Sequence, residues 1–203
     1  ILRVGIVPHL EYRQAALFDC WCEARDDFGV EKYFVSGDRS NVMLEGDELD
    51  CVLTMMPNMG SSFFVSAEIT TLPLYLYVHK DNPLAGKSEV CEEDLAGQLV
   101  AGELSGYSEM EYEGEHWMYY KPKKIRYLFT EDWYYAYSML CENRCVVCNT
   151  ETAQLSQNKN LVRLPLWEGM GEVPLFLRIS KTVMKDRRFD SALKSLQAYL
   201  KEE

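Results

Sequence analysis

Nothing in the 203 residues approaches the roughly 20 consecutive apolar residues that a membrane-spanning helix needs. The chain also opens on a strand pattern, where a secretory leader would place a charged and then an apolar segment. A cytoplasmic setting away from the membrane is therefore expected. Positive charge is scarce: 21 Lys and Arg against 32 Asp and Glu leave a formal charge of -11. Binding to a phosphate backbone draws on counterion release by Lys and Arg, so this surface would repel nucleic acid. Histidine is scarcer still. His9, His79 and His116 fall in no Ser-His-Asp or Cys-His pattern, and neither a glycine-rich phosphate loop nor metal-ligand spacing is present. No catalytic centre, metal or cofactor is expected. The sequence likewise lacks internal repeats, low-complexity segments and flexible linkers.

What is present is enough to fill a core: 47% of the residues are hydrophobic and 12% aromatic. Seven cysteines, an odd number, do not suit a disulfide framework. Cys20 and Cys22 are two apart on a predicted helix and point to different sides. Cys145-Val146-Val147-Cys148 reads as a strand, in which an odd spacing sends the two thiols to opposite faces. Cys51 and Cys91 have no neighbouring Cys or His. Buried, reduced thiols acting as small hydrophobes are expected.

Leu2 to Val7 alternates as a strand, and after Pro8-His9-Leu10 a helical period runs to about Phe28-Gly29. Leu17, Trp21, Ala24 and Phe28 form one stripe of that helix, widened by Ala15, Phe18 and Cys22, so one side should face a sheet and the other a partner. Val30 to Val35 is a second strand, Ser40 to Glu45 a helix ended by Gly46, and Cys51 to Met55 a third strand. Ile69 to Val78 is extended and runs into the turn Lys80-Asp81-Asn82-Pro83. A helix at Glu92 to Ala96, a strand at Leu99 to Ala101, a strand at Ile125 to Phe129, a helix at Asp132 to Glu142 and a strand at Cys145 to Cys148 follow. Leu161 to Leu164 and Val173 to Ile179 are the last strands, and Asp190 is read as the N-cap of a closing amphipathic helix carrying Leu193, Leu196, Tyr199 and Leu200. Strands alternating with helices make this an α/β protein.

Several segments together resemble the effector-binding domain of LysR-type transcriptional regulators. Leu2-Arg3-Val4-Gly5-Ile6 resembles that family's first strand, and Leu44-Glu45-Gly46 followed by Leu49-Asp50-Cys51-Val52-Leu53 resembles its helix-to-strand step. Leu74 to Gly86, read Leu-Tyr-Leu-Tyr-Val-His-Lys-Asp-Asn-Pro-Leu-Ala-Gly, and then Glu93-Asp94-Leu95-Ala96-Gly97, are close to its crossover strand, proline turn and short helix. The resemblance spans essentially the whole chain. It departs after Gly102, where Ser105 to Lys124 is unusually acidic and aromatic.

The resemblance implies two Rossmann-like lobes joined by two crossover strands, similar to type II periplasmic binding proteins. Residues 1–73 plus 172–203 would form a discontinuous lobe I and residues 74–171 lobe II. A small-molecule effector, a carboxylate among the candidates, would sit in the cleft between lobes, against strand ends and helix N-termini. The domain would pair as a homodimer, helix one of one copy against the Asp132 to Glu142 helix of the other, and form a tetramer in the full-length parent. DNA binding would belong to a separate N-terminal winged helix-turn-helix of about 60 to 90 residues. The rival function on the same kind of fold is a stand-alone solute-binding protein of a transporter, which the loose thiols disfavour.

On one lobe the resemblance points to Pro8, His9 and Leu10 after the first strand, Ser36 before the second helix and Thr54 near the end of the third strand. For His9 a surface or structural role stands beside the ligand role. For Ser36 and Thr54 a capping or strand-end hydroxyl is the alternative. On the other lobe Ser105, Gly106 and Tyr107 fall where the family's second effector loop falls, and Cys148, Asn149 and Thr150 follow a strand bordering the cleft. Small polar residues on both loops fit anion or amide recognition. The aromatic group Trp133, Tyr134, Tyr135 and Tyr137 fits core and dimer packing, and the run Glu109 to Glu115 a solvated surface.

Overall fold

Leu2, Val4 and Ile6 alternate along β1 (Leu2–Ile6) and are all buried. The computed structural model describes residues 1–7, 10–35, 37–55, 61–102, 125–130, 132–167 and 171–201. They fall into two units, Ile1–Thr71 with Pro174–Glu203 and Leu72–Val173.

In the first unit β1 pairs in parallel with β2 (Val30–Phe34) and β3 (Cys51–Thr54). The sheet is completed by β10 (Glu172–Ser180), antiparallel to β3, and by β4 (Phe64–Pro73), in the order β2-β1-β3-β10-β4. All four residues of the central β3 are buried, as expected of a strand covered on both faces. One face packs on α2 (Gly37–Glu45), through a cluster of Val35, Met43, Leu44, Leu49, Val52 and Phe64. The opposite face receives α1 (Tyr12–Glu23): Lys32, in register with Val4, pairs with Asp19 of α1 and lies over the Phe18 ring. α5 (Arg187–Leu200) packs beside α1, where Ser195 Oγ accepts hydrogen bonds from Trp21 and Arg25.

The second unit has its own sheet, of β5 (Tyr75–His79), β6 (Leu99–Gly102), β7 (Arg126–Phe129), β8 (Val146–Asn149) and β9 (Leu161–Pro165), in the order β7-β6-β8-β5-β9. β6 is parallel to β7 and β8, and β5 is antiparallel to β8 and β9. α3 (Trp133–Cys141) supplies Ala136, Met139 and Leu140 to a core with Tyr77, Ala101, Val147 and, from α4 (Ala153–Gln157), Leu155. The chain passes from the first unit to the second near the end of β4 and returns along β10. Each sheet therefore has one plan: a parallel trio in the order second-first-third strand, then an antiparallel strand, then an edge.

Several boundaries differ from the sequence reading. α1 stops at Glu23, because Asp26 and Asp27 put acids where the helix macrodipole favours bases. Its buried stripe is Gln14, Phe18 and Trp21, and Phe28 reaches the core from beyond the helix, edge-on to Phe189. α2 begins at Gly37, and after Gly46 the left-handed residue is Asp47, φ 55°, so an aspartate takes the conformation expected of glycine. The extended stretch starts at Phe64, earlier than Ile69, and is two strands, because Pro73 offers no N–H and Leu74 donates to Gly171. Asp186, not Asp190, caps α5, and α4 was not anticipated. The stretch Glu109 to Tyr120 lies outside the described residues.

Candidate functional site

The ends of three strands gather at the carboxyl edge of the first sheet. Val7 N–H donates to Leu53 C=O at 3.2 Å and Val35 N–H to Ile6 C=O at 3.1 Å, so the segments leaving β1 and β2 and the end of β3 are neighbours. In such open sheets ligands bind at carboxyl ends, near the point where successive connections diverge. Thr54 ends β3 there, fully buried and in register with Phe176 of β10. Leu10 is 6% exposed, its N–H donating to Val7 C=O, and so is a wall of this edge. Glu11 follows as the N-cap of α1, its carboxylate accepting the Gln14 N–H at 3.0 Å.

The second sheet repeats the position. Cys148 and Asn149 lie within β8, in register with Leu76 and Tyr75, so only Thr150 follows the strand. Asn149 Oδ1 accepts the Thr150 N–H at 2.9 Å, turning the chain toward α4. Thr54 thus ends the third strand of the first parallel trio and Thr150 directly follows that of the second, and both are fully buried. Glu151, next in the chain, pairs with Arg163, whose guanidinium lies 4.5 Å over the Tyr75 ring. Pro8, His9, Ser36, Ser105, Gly106 and Tyr107 lie outside the described residues.

Sequence reading missed three residues at or near this edge. Glu11 and Gln14 are buried in the first turn of α1. Arg178 of β10, in register with Val52, is 1% exposed, reaches Asn41 of α2 and lies 5.3 Å from the Phe64 ring centre. A charged residue inside the apolar run Val173 to Ile179 was a visible signal for it.

All seven cysteines are free thiols. Burial pushes Cys22 and Cys145 up to about 11 and Cys148 up to about 12, and lifts Cys51 beyond the usual thiol range. A scarce thiolate makes these poor nucleophiles and ligands. Cys91, expected to be buried, is exposed, its Sγ donating to Asp94. Among the described residues no group of three or more His, Cys, Asp or Glu is placed to hold a metal ion. Nor is any described helix long and apolar enough to cross a membrane.

Two such sheets linked by two crossings make an α/β fold like that of type II periplasmic binding proteins. Within that fold class the chain has the fold of the effector-binding domain of LysR-type regulators. No protein-family model and no curated protein matches it in sequence. The oxidized form of OxyR matches with a TM-score of 0.75 at 13% identity, over 98% of this chain and 95% of that one. The BenM effector-binding domain with its effector benzoate matches with a TM-score of 0.70 at 14% identity, over 97% and 90%. The regulatory domain of MetR, a LysR family regulator from N. meningitidis, matches with a TM-score of 0.66 at 14% identity, over 98% and 92%. At such identities the likeness is one of fold.

Proposed function

We propose that the chain is the effector-sensing domain of a LysR-type DNA-binding transcriptional regulator, binding a small molecule and performing no catalysis. The observation that carries the reading is the fold match over 97% or more of the chain to OxyR, BenM and MetR. BenM is seen with benzoate, which supports a small organic effector here. The ligand binds at the carboxyl strand ends, against Thr54 and Leu10 of the first unit and Thr150 of the second. Pro8, His9, Ser36, Ser105, Gly106 and Tyr107, with Cys148 and Asn149, complete the contacts. DNA contact belongs to an N-terminal winged helix-turn-helix, the domain pairs as a dimer, and the protein works in the cytoplasm, where seven free thiols persist.

A ligand shifts such a protein only by binding one arrangement better than another. It then stabilises the fold by about 2.7 kcal/mol at 100 times its Kd. Thermal shift against small carboxylates, amino acids and aromatic acids should find a compound that raises the melting temperature with concentration. Thr54→Val and Thr150→Val, which keep shape and remove the hydroxyl, should blunt that rise. A confirmed ligand bound elsewhere, with both variants responding like wild type, would sink the reading.

A further inference from the structure

The first turn of α1 buries two acceptors at the carboxyl edge of the first sheet. Glu11 is 8% exposed and Gln14 7%. Glu11 accepts the Gln14 backbone N–H, and among the described residues its carboxylate has no other hydrogen bond and no cationic partner. Gln14 Oε1 is buried, and among the described residues it has no hydrogen-bond partner. Helix side chains lean toward the N-terminus of their helix, so the Gln14 amide is aimed at the same end of α1 that Glu11 caps. The Val7 to Leu53 hydrogen bond holds this end beside the close of β3.

Folded proteins rarely bury a side-chain acceptor without a donor, so one found at a strand-end ligand position points to a donor that the ligand brings. The charge points the same way. A helix N-terminus by itself attracts anions, and Ser, Thr, Asp and Asn cap better than Glu. Here a buried carboxylate already takes one of the free amides, that of Gln14, and gives the position a negative sign. Val7 and Leu10, 4% and 6% exposed, keep the surroundings apolar, which strengthens a charged hydrogen bond made there.

We propose that this end of α1 receives a cationic nitrogen of the effector, a primary ammonium or an amidinium, with Glu11 as its charge partner and Gln14 Oε1 as second acceptor. The assignment rests on the ligand-binding reading above and reverses the charge a bare helix N-terminus selects.

The test uses four single-ring probes that differ in head group: benzylamine, benzamidine, benzamide and benzoate. Each is titrated into the chain and into Glu11→Gln and Gln14→Leu, with binding read by ligand-observed NMR and folding by thermal melting. Glu11→Gln keeps an oxygen for the Gln14 N–H, and Gln14→Leu keeps the side-chain volume, so both should melt near wild type. Benzylamine and benzamidine should bind wild type better than benzamide or benzoate, and weaken about tenfold or more in Glu11→Gln. Gln14→Leu should weaken them without lowering stability. Benzoate preferred by wild type, or amines bound equally by wild type and Glu11→Gln, overturns the cationic assignment and leaves the sensor reading standing. Silence from both amines overturns it too. Failure of every compound in this set and in the broader effector panel tells against both.

Discussion

Asp50 shows how much one residue can hold. It is 5% exposed, and its carboxylate accepts the Arg3 backbone N–H at 2.6 Å and the Arg3 guanidinium at 2.7 and 3.2 Å. Its own N–H donates to Arg3 C=O, and its C=O accepts from Ser180, so β1, β3 and β10 meet at this residue. The carboxylate raises the Arg3 guanidinium above its ordinary value. Asp50→Ala leaves a strand N–H and a half-buried cation without their partner and should lower stability by about 2 to 4 kcal/mol in urea unfolding, Asn recovering part of the loss. Gly5 is the second such residue. A Cβ there would meet Leu49 Cδ1 at 2.8 Å and Val52 Cγ2 at 2.9 Å. Leu49 can shift its tip, but Val52 is β-branched and buried in β3, so Gly5→Ala should cost about 1 to 3 kcal/mol by the same measurement.

Among the elements, the start of α5 separates two aspartates that look alike in sequence. Asp186 accepts the Arg188 N–H as the cap, whereas Asp190 sits a turn inside and pairs with Lys194 at i+4. Asp186→Ala should therefore lower the melting temperature more than Asp190→Ala. The 3-10 turn Glu92–Leu95 carries a pH dependence. The Lys87 ammonium first, then hydrogen bonds from the Cys91 N–H and thiol, lower Asp94 to about 2 from 3.8. A depressed carboxylate stabilises the fold above its unfolded pKa and loses that contribution as pH falls toward its folded one. The melting-temperature gap between wild type and Asp94→Asn should be open at about pH 6 and close as pH falls from about 4 toward 2.

For the whole molecule, self-association is the quantity to measure. Trp21 and Phe28 on and beyond α1 are engaged by α5 of the same chain, so part of the apolar surface read from sequence as a partner face is covered internally. Tyr12 on α1 and Tyr134 and Tyr135 on α3 remain exposed, Tyr134 at 78%. If these tyrosines form the dimer seam, sedimentation at tens of micromolar should show mostly dimer for a Kd near 1 μM, about -8 kcal/mol. Tyr134→Glu should then shift the population to monomer, and a wild type that stays monomeric there removes the dimer from the proposal.

The alternation of Leu2, Val4 and Ile6, the helix from Trp133 to Cys141 and the proline turn after His79 were legible in sequence, because they are local patterns with periods of two or 3.6 residues. The shared strand order of the two sheets was not legible, since a topological repeat needs no repeated residues, only the same order of pairing. Arg178, Glu11 and Gln14 escaped for a related reason. Each is polar in the chain and buried in the fold, and burial is set by what packs against a residue from far along the sequence, as Arg178 is met by Asn41 and Phe64. Sequence determined which segments are strands and helices, because backbone and side-chain sterics act between neighbours. Tertiary structure decided which polar groups lose water, and with that which of them a ligand is left to satisfy.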